Sequence, residues 1–100
     1  MSKVLVTGSN GFIGKSLVNY LRLNGYDVLA LSSEGGDIGQ ASTLRQYDGQ
    51  NITTVFHLAG KTFVPNSWED VTPFMVANVM GTTNVLEFCA KNSASLIFVS

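Results

Sequence analysis

The chain has few of the residues that carry specialised chemistry. One cysteine, Cys89, stands among 100 residues, which excludes an internal disulfide and any cysteine-based metal cluster. One histidine, His57, is present, and with no second ligand beside it the metal-site reading fails. Only 13% of residues are charged, the net charge is −1, and no basic run is longer than a single Lys or Arg. Such a chain has no electrostatic footprint for nucleic acid or an anionic membrane. No apolar run approaches the roughly 18 residues that a membrane-spanning helix needs. The N-terminal residues run directly into a strand pattern without a signal-peptide pattern, so cytoplasm is the expected compartment. At 45% hydrophobic content the composition is globular, and its low charge suggests that further protein covers some apolar surface. The length suits one small domain with a modest core.

What is present centres on 4–14, Val-Leu-Val-Thr-Gly-Ser-Asn-Gly-Phe-Ile-Gly. An apolar β-favouring run enters a polar turn, and the turn opens an amphipathic helix. Gly8, Gly11 and Gly14 punctuate it. A strand that hands over to a helix through a loop with little side chain exposes backbone N–H groups to a diphosphate, and the helix dipole favours the negative charge. In a dinucleotide-binding turn the first glycine permits the sharp bend, the second lets backbone approach the phosphates, and the third lets the helix pack closely. The spacing is G-x-x-G-x-x-G rather than G-x-G-x-x-G, and a plain strand–loop–helix connection is the bland alternative. Gly14-Lys15-Ser16 also matches the tail of a P-loop, but Ser9 stands where that motif needs glycine. A nucleoside triphosphatase is therefore a minor alternative.

Periodicity predicts strands at 4–7, 26–31, 53–59 and 96–99. Helices are expected at about 11–23, weakly within 38–47, and at 72–91. Ile13, Leu17 and Tyr20/Leu21 are expected to form the buried stripe of the first helix. Val71, Met75, Val79, Leu86 and Ala90 are expected to form that of the long one. Asn24-Gly25 is a helix stop, and Thr72-Pro73 is a cap and first-turn pair. Alternating strands and helices imply an α/β fold with a parallel sheet. Its expected strand order is 3-2-1-4, with the first and fourth strands flanking the switch point where ligands bind. Gly8 and Ser100 then face each other across that crevice.

In that order the whole chain resembles the extended short-chain dehydrogenases, the family of NAD-dependent nucleotide-sugar epimerases, dehydratases and reductases. Thr7-Gly8-x-x-Gly11-Phe12-Ile13-Gly14 resembles the coenzyme loop. Asp37-Ile38 resembles the adenine-contacting pair, and His57-Leu58-Ala59-Gly60 a strand-end motif. Asn78-Val-Met-Gly81-Thr82-x-Asn84-Val-Leu-Glu87 resembles the long-helix motif. Phe98-Val99-Ser100 resembles the strand that leads to a catalytic serine.

The resemblance implies a Rossmann domain that binds NAD or NADP, and hydride transfer between nicotinamide and a carbon of a nucleotide-sugar substrate. The family's acid/base is a Tyr in Tyr-x-x-x-Lys. Tyr20, Tyr26 and Tyr47 are the tyrosines here, and none has Lys four residues on. Residues 1–100 are thus expected to be the N-terminal coenzyme-binding part of an incomplete domain. The catalytic pair and the substrate domain are expected to lie beyond it. A non-catalytic NAD(P)-binding redox sensor is the competing reading.

The coenzyme contacts expected on this basis are Gly8, Asn10, Gly11, Phe12, Ile13, Gly14, Ser32, Asp37, Ile38, Leu58, Ala59, Gly60, Asn78 and Ser100. Ser32 stands where an acidic residue would select NAD, so NAD and NADP both remain open; it is equally a turn serine. Asp37 alone would be a turn residue. His57 is expected to be a satisfied strand-end histidine. Asn78 is expected to be buried and hydrogen-bonded. Gly81 costs about 1 kcal/mol relative to Ala inside a helix, which close helix–sheet packing would explain. Cys89 reads as a small core residue. Phe63 and Trp68 read as core cover or a wall near the substrate. The family resemblance also suggests a homodimer through the 72–91 helix.

Overall fold

Val4, Leu5 and Val6 are each 2% exposed or less, so the strand that contains them is covered on both faces. That strand is β1 (Lys3–Thr7). The structure, a computed structural model, describes residues 3–32, 35–36, 38–58 and 72–98, with backbone alone for 72–77. The elements follow as α1 (Phe12–Leu23), β2 (Asp27–Leu31), α2 (Ala41–Arg45), β3 (Ile52–His57), α3 (Thr72–Asn92) and β4 (Ser95–Phe98).

All strand pairings are parallel. Alternate residues of β1 point to opposite faces. Val4 and Val6 join Val28 of β2 beneath Val18 and Leu21 of α1. Leu5 joins Leu31, Ile52 and Val55 beneath Leu44 of α2 and Val85, Phe88 and Cys89 of α3. One helix on one face and two on the other make a doubly wound α/β sheet of Rossmann type. Among the described residues no helix is long and apolar enough to cross a membrane.

The strand order is β2-β1-β3-β4, a correction to the expected 3-2-1-4. Removing the outermost strand of that order and renumbering leaves 2-1-3-4. The described residues between β2 and β3 hold only the short helix α2, and among the described residues no strand flanks β2 on its outer side. The crossover from β2 carries β3 back over β1 instead. The switch point therefore lies between β1 and β3, and the end of β1 at Thr7 neighbours Leu58; Ser100, expected opposite Gly8, lies outside the described residues.

The helix faces also need correction. The buried residues of α1 are Gly14, Val18 and Leu21, with Leu17 packed partly against them. Ile13 and Tyr20 are exposed. In α3 the buried face is Gly81, Asn84, Val85, Phe88 and Cys89. Val79, Leu86 and Ala90, expected inside, face outward with Met80. The helix is apolar on both sides, so its period alone did not select the core face. Side chains 71 and 75 of the expected stripe lie outside the described residues.

The helix stop at Asn24-Gly25 is as expected. Gly25 takes φ +86°, its N–H donates to Arg22 O, and Tyr26 N–H donates to Leu21 O. These two bonds close the helix end as a Schellman motif.

Candidate coenzyme site

β1 ends at Thr7 and α1 begins at Phe12, so Gly8–Gly11 makes the whole connection. Gly8 turns the chain at φ +67°, a conformation that a side chain would strain. Gly8 O accepts from Gly11 N–H at 3.2 Å, and Gly11 O accepts from Lys15 N–H at 2.9 Å. Ser9 N–H donates to Leu31 O at 3.1 Å, which ties the loop to the end of β2.

The two later glycines have different duties. A Cβ on Gly14 would collide with Gly8 O and lie 2.9 Å from Ser9 Cα. Gly14 therefore seats the helix against the loop's own backbone. A Cβ on Gly11 would meet only Gly8 O, at an ordinary 3.5 Å. The fold does not require glycine there, and its bare backbone faces outward.

Gly11 caps α1 without a side-chain hydrogen bond, and the first turn contains no acid. Among the described residues nothing accepts from the N–H groups of Phe12, Ile13 and Gly14. These are the donors that a helix start leaves open, and with the dipole they favour an anion. Phe12 is 90% exposed and Ile13 60%, so two large apolar side chains stand at the mouth of this donor set. Gly14-Lys15-Ser16 lies inside the first turn of the helix, with Gly14 buried against the loop.

The loop is fastened across the switch point by side chains. Leu58 N–H donates to Thr7 Oγ1 at 3.1 Å, and Thr7 Oγ1 shares a 2.8 Å hydrogen bond with His57 Nδ1. Thr7 is fully buried and His57 is 2% exposed. Burial disfavours the charged ring and holds the His57 pKa below its usual 6.5. The Phe98 ring lies 5.6 Å from the imidazole, centroid to centroid. His57 is thus the satisfied strand-end histidine expected of it, and among the described residues no group of metal-binding side chains exists.

Of the expected contacts, the structure gathers Gly8, Asn10, Gly11, Phe12, Ile13 and Gly14 at one turn. Ser32 sits beside them through the Ser9–Leu31 bond, and Leu58 through Thr7. Ile38 lies further along, and its side chain packs toward α3. A Cβ on Gly81 would meet Ile38 Cγ2 at 3.0 Å, so Gly81 makes room for this side chain rather than for the sheet. Asn78 is exposed rather than buried. The buried asparagine is Asn84, whose Nδ2 donates to Ile38 O at 3.0 Å. Asp37, Ala59, Gly60 and Ser100 lie outside the described residues, as do Phe63 and Trp68. Sequence reasoning passed over Thr7 and Asn84 as site-forming groups. Thr7's position immediately before Gly8, with a lone histidine at the end of another apolar strand, was the available signal.

The model of the NAD dependent epimerase/dehydratase family matches residues 4–100, and the chain belongs to that family. It is 29% identical over 98 residues to dTDP-4-dehydrorhamnose reductase of Mycolicibacterium smegmatis, across 98% of this chain and 30% of the relative. Among solved structures it resembles dTDP-4-dehydrorhamnose reductase of Bacillus anthracis in complex with NADP. There the TM-score is 0.88 at 27% identity, over 100% of this chain and 36% of the other. It also resembles UDP-glucose 4-epimerase of Thermus thermophilus in complex with NAD. That match has a TM-score of 0.86 at 30% identity, over 98% and 37%. The chain thus spans about a third of the length of these relatives.

Proposed function

We propose that this chain is the coenzyme-binding part of an NAD(P)-dependent enzyme that acts on nucleotide sugars as an epimerase, dehydratase or reductase. The observation that carries the reading is the contrast between Gly11 and Gly14. Gly14 is required by packing, whereas Gly11 is not, and Gly11 caps a helix whose first N–H groups have no partner among the described residues. Bare backbone at that point suits a diphosphate that must come close.

Bound there, the coenzyme would accept or supply a hydride at a sugar carbon. The chain's own residues would hold it. The N–H groups of the α1 start take the diphosphate, and Phe12 and Ile13 cover it. Ser32 and the 35–38 segment, with Asp37 and Ile38, take the adenosine half. Leu58, Ala59, Gly60, Asn78 and Ser100 line the nicotinamide half. The Thr7–His57 pair keeps β1 and β3 in register beneath them. The tyrosine and lysine of the chemistry, and the sugar site, belong to residues other than these. In the same reading the outward face of α3, with Val79, Met80 and Leu86, is half of a homodimer interface.

Titration of NADH and NADPH into the full-length protein tests this directly. Gly11→Val is expected to abolish binding while far-UV circular dichroism stays near wild type. Retained affinity in a folded Gly11→Val protein would remove the diphosphate from this loop.

A further inference from the structure

The connection between β2 and α2 is held by α3. Asn84 is 8% exposed and donates from Nδ2 to Ile38 O at 3.0 Å. One turn earlier, Gly81 leaves space that a Cβ would take from Ile38 Cγ2. On the other side of the same short segment, Gly36 lies against Thr43 of α2. A Cβ there would approach Thr43 Cγ2 to 2.8 Å, and Gly36 has φ +137°. Both the backbone and the side chain of residue 38 are therefore seated on α3, the backbone against an asparagine 46 positions later in the chain.

This segment leaves the carboxyl end of β2, where doubly wound folds receive the ribose and base of a dinucleotide. The order β2-β1-β3-β4 leaves no strand outside β2 among the described residues, so no neighbouring strand braces the segment there and its described hold comes from α3. We infer that Asn84 and Gly81 are positioning residues for the adenosine half of the coenzyme, acting by fixing Ile38 and the turn before it. The inference rests on the coenzyme reading above. Loss of the Asn84 donor leaves a carbonyl without its partner and frees the segment to shift. Close placement of contacting backbone governs how much of the adenosine binding energy is realised.

The test uses the full-length protein with NADH and with ADP-ribose, which is the same dinucleotide without its nicotinamide ring. Asn84→Leu keeps bulk and removes the donor; Gly81→Ala pushes Ile38 outward. Each is expected to weaken both ligands in parallel by roughly tenfold. Val85→Ala, on the same helix but directed into the core, is the control. It should lower the melting temperature yet leave ADP-ribose affinity within about twofold.

ADP-ribose affinity unchanged in Asn84→Leu and Gly81→Ala overturns the inference. So does an equal loss in Val85→Ala, which would mark plain destabilisation. Wild-type protein that binds none of NADH, NADPH and ADP-ribose overturns the coenzyme reading instead.

Discussion

Thr7 Oγ1 and His57 Nδ1 lie 2.8 Å apart at the ends of two neighbouring parallel strands, and the same hydroxyl accepts the N–H of Leu58. One buried oxygen thus joins β1 to β3 where the chain reverses its winding direction. Thr7→Val keeps the shape and removes the oxygen, which strands a ring nitrogen and a backbone N–H. Each lost partner costs about 1–3 kcal/mol when buried. Urea unfolding should show a fall of about 2–6 kcal/mol for the two together, whereas Thr7→Ser, which keeps the hydroxyl, should recover most of it.

The same pair predicts a pH dependence. Burial sets the folded pKa of His57 below 6.5, so on acidification the unfolded chain takes up the proton first. Its contribution to stability is full above about 6.5 and declines as pH falls through the folded value. Asp48 is shifted down from 3.8, first by its hydrogen bond from Lys91 and then by that from Asn92. Its contribution is present above 3.8 and is lost only below it. Stability curves measured from neutral pH downward should therefore show an early loss that His57→Gln removes and a later one that it leaves.

Element types were legible because each has a local cause: continuous apolar strands, Asn24-Gly25 at a helix end, and glycines around one turn. Strand order was not, because no residue of β3 states which strand it will join. Among the described residues no outer strand stands between Leu31 and Ile52, and β3 pairs with β1. The faces of α3 were not legible either, since Val79, Met80 and Leu86 compete on equal terms with Val85, Phe88 and Cys89. The two asparagines show the same limit. Asn78 and Asn84 are alike in sequence, and only the carbonyl of Ile38, brought from another part of the chain, makes Asn84 the buried one.

The outward face of α3 gives a third prediction. Val79 is 62% exposed, Met80 46% and Leu86 52%, and Val79 and Leu86 stand two turns apart on one side. Leu86→Glu touches no core residue, so its effect on unfolding should stay within about 0.5 kcal/mol. If this face joins two copies, sedimentation velocity of the full-length protein should show a dimer that the variant converts to monomer. A wild-type monomer would refute the interface.

The sharpest contrast lies within the first turn of α1. Gly→Ala in a helix ordinarily gains about 1 kcal/mol, so Gly14→Ala has a favourable intrinsic term. The new methyl, however, meets Gly8 O and Ser9 Cα, which are backbone atoms of a four-residue turn and cannot rotate aside. Overpacking of this kind costs about 1–3 kcal/mol and displaces the loop. Gly14→Ala should therefore unfold at lower urea and also bind coenzyme poorly. Gly11→Ala adds a methyl with ordinary clearance, 3.5 Å from Gly8 O, at a cap position where Ala is disfavoured by about 0.5–1 kcal/mol. It should unfold close to wild type and, if the diphosphate lies on this loop as proposed, lose NADH affinity. Binding lost with stability kept at Gly11, and both lost at Gly14, separates the glycine that faces a ligand from the glycine that faces the protein. Equal stability losses at the two positions would refute that division.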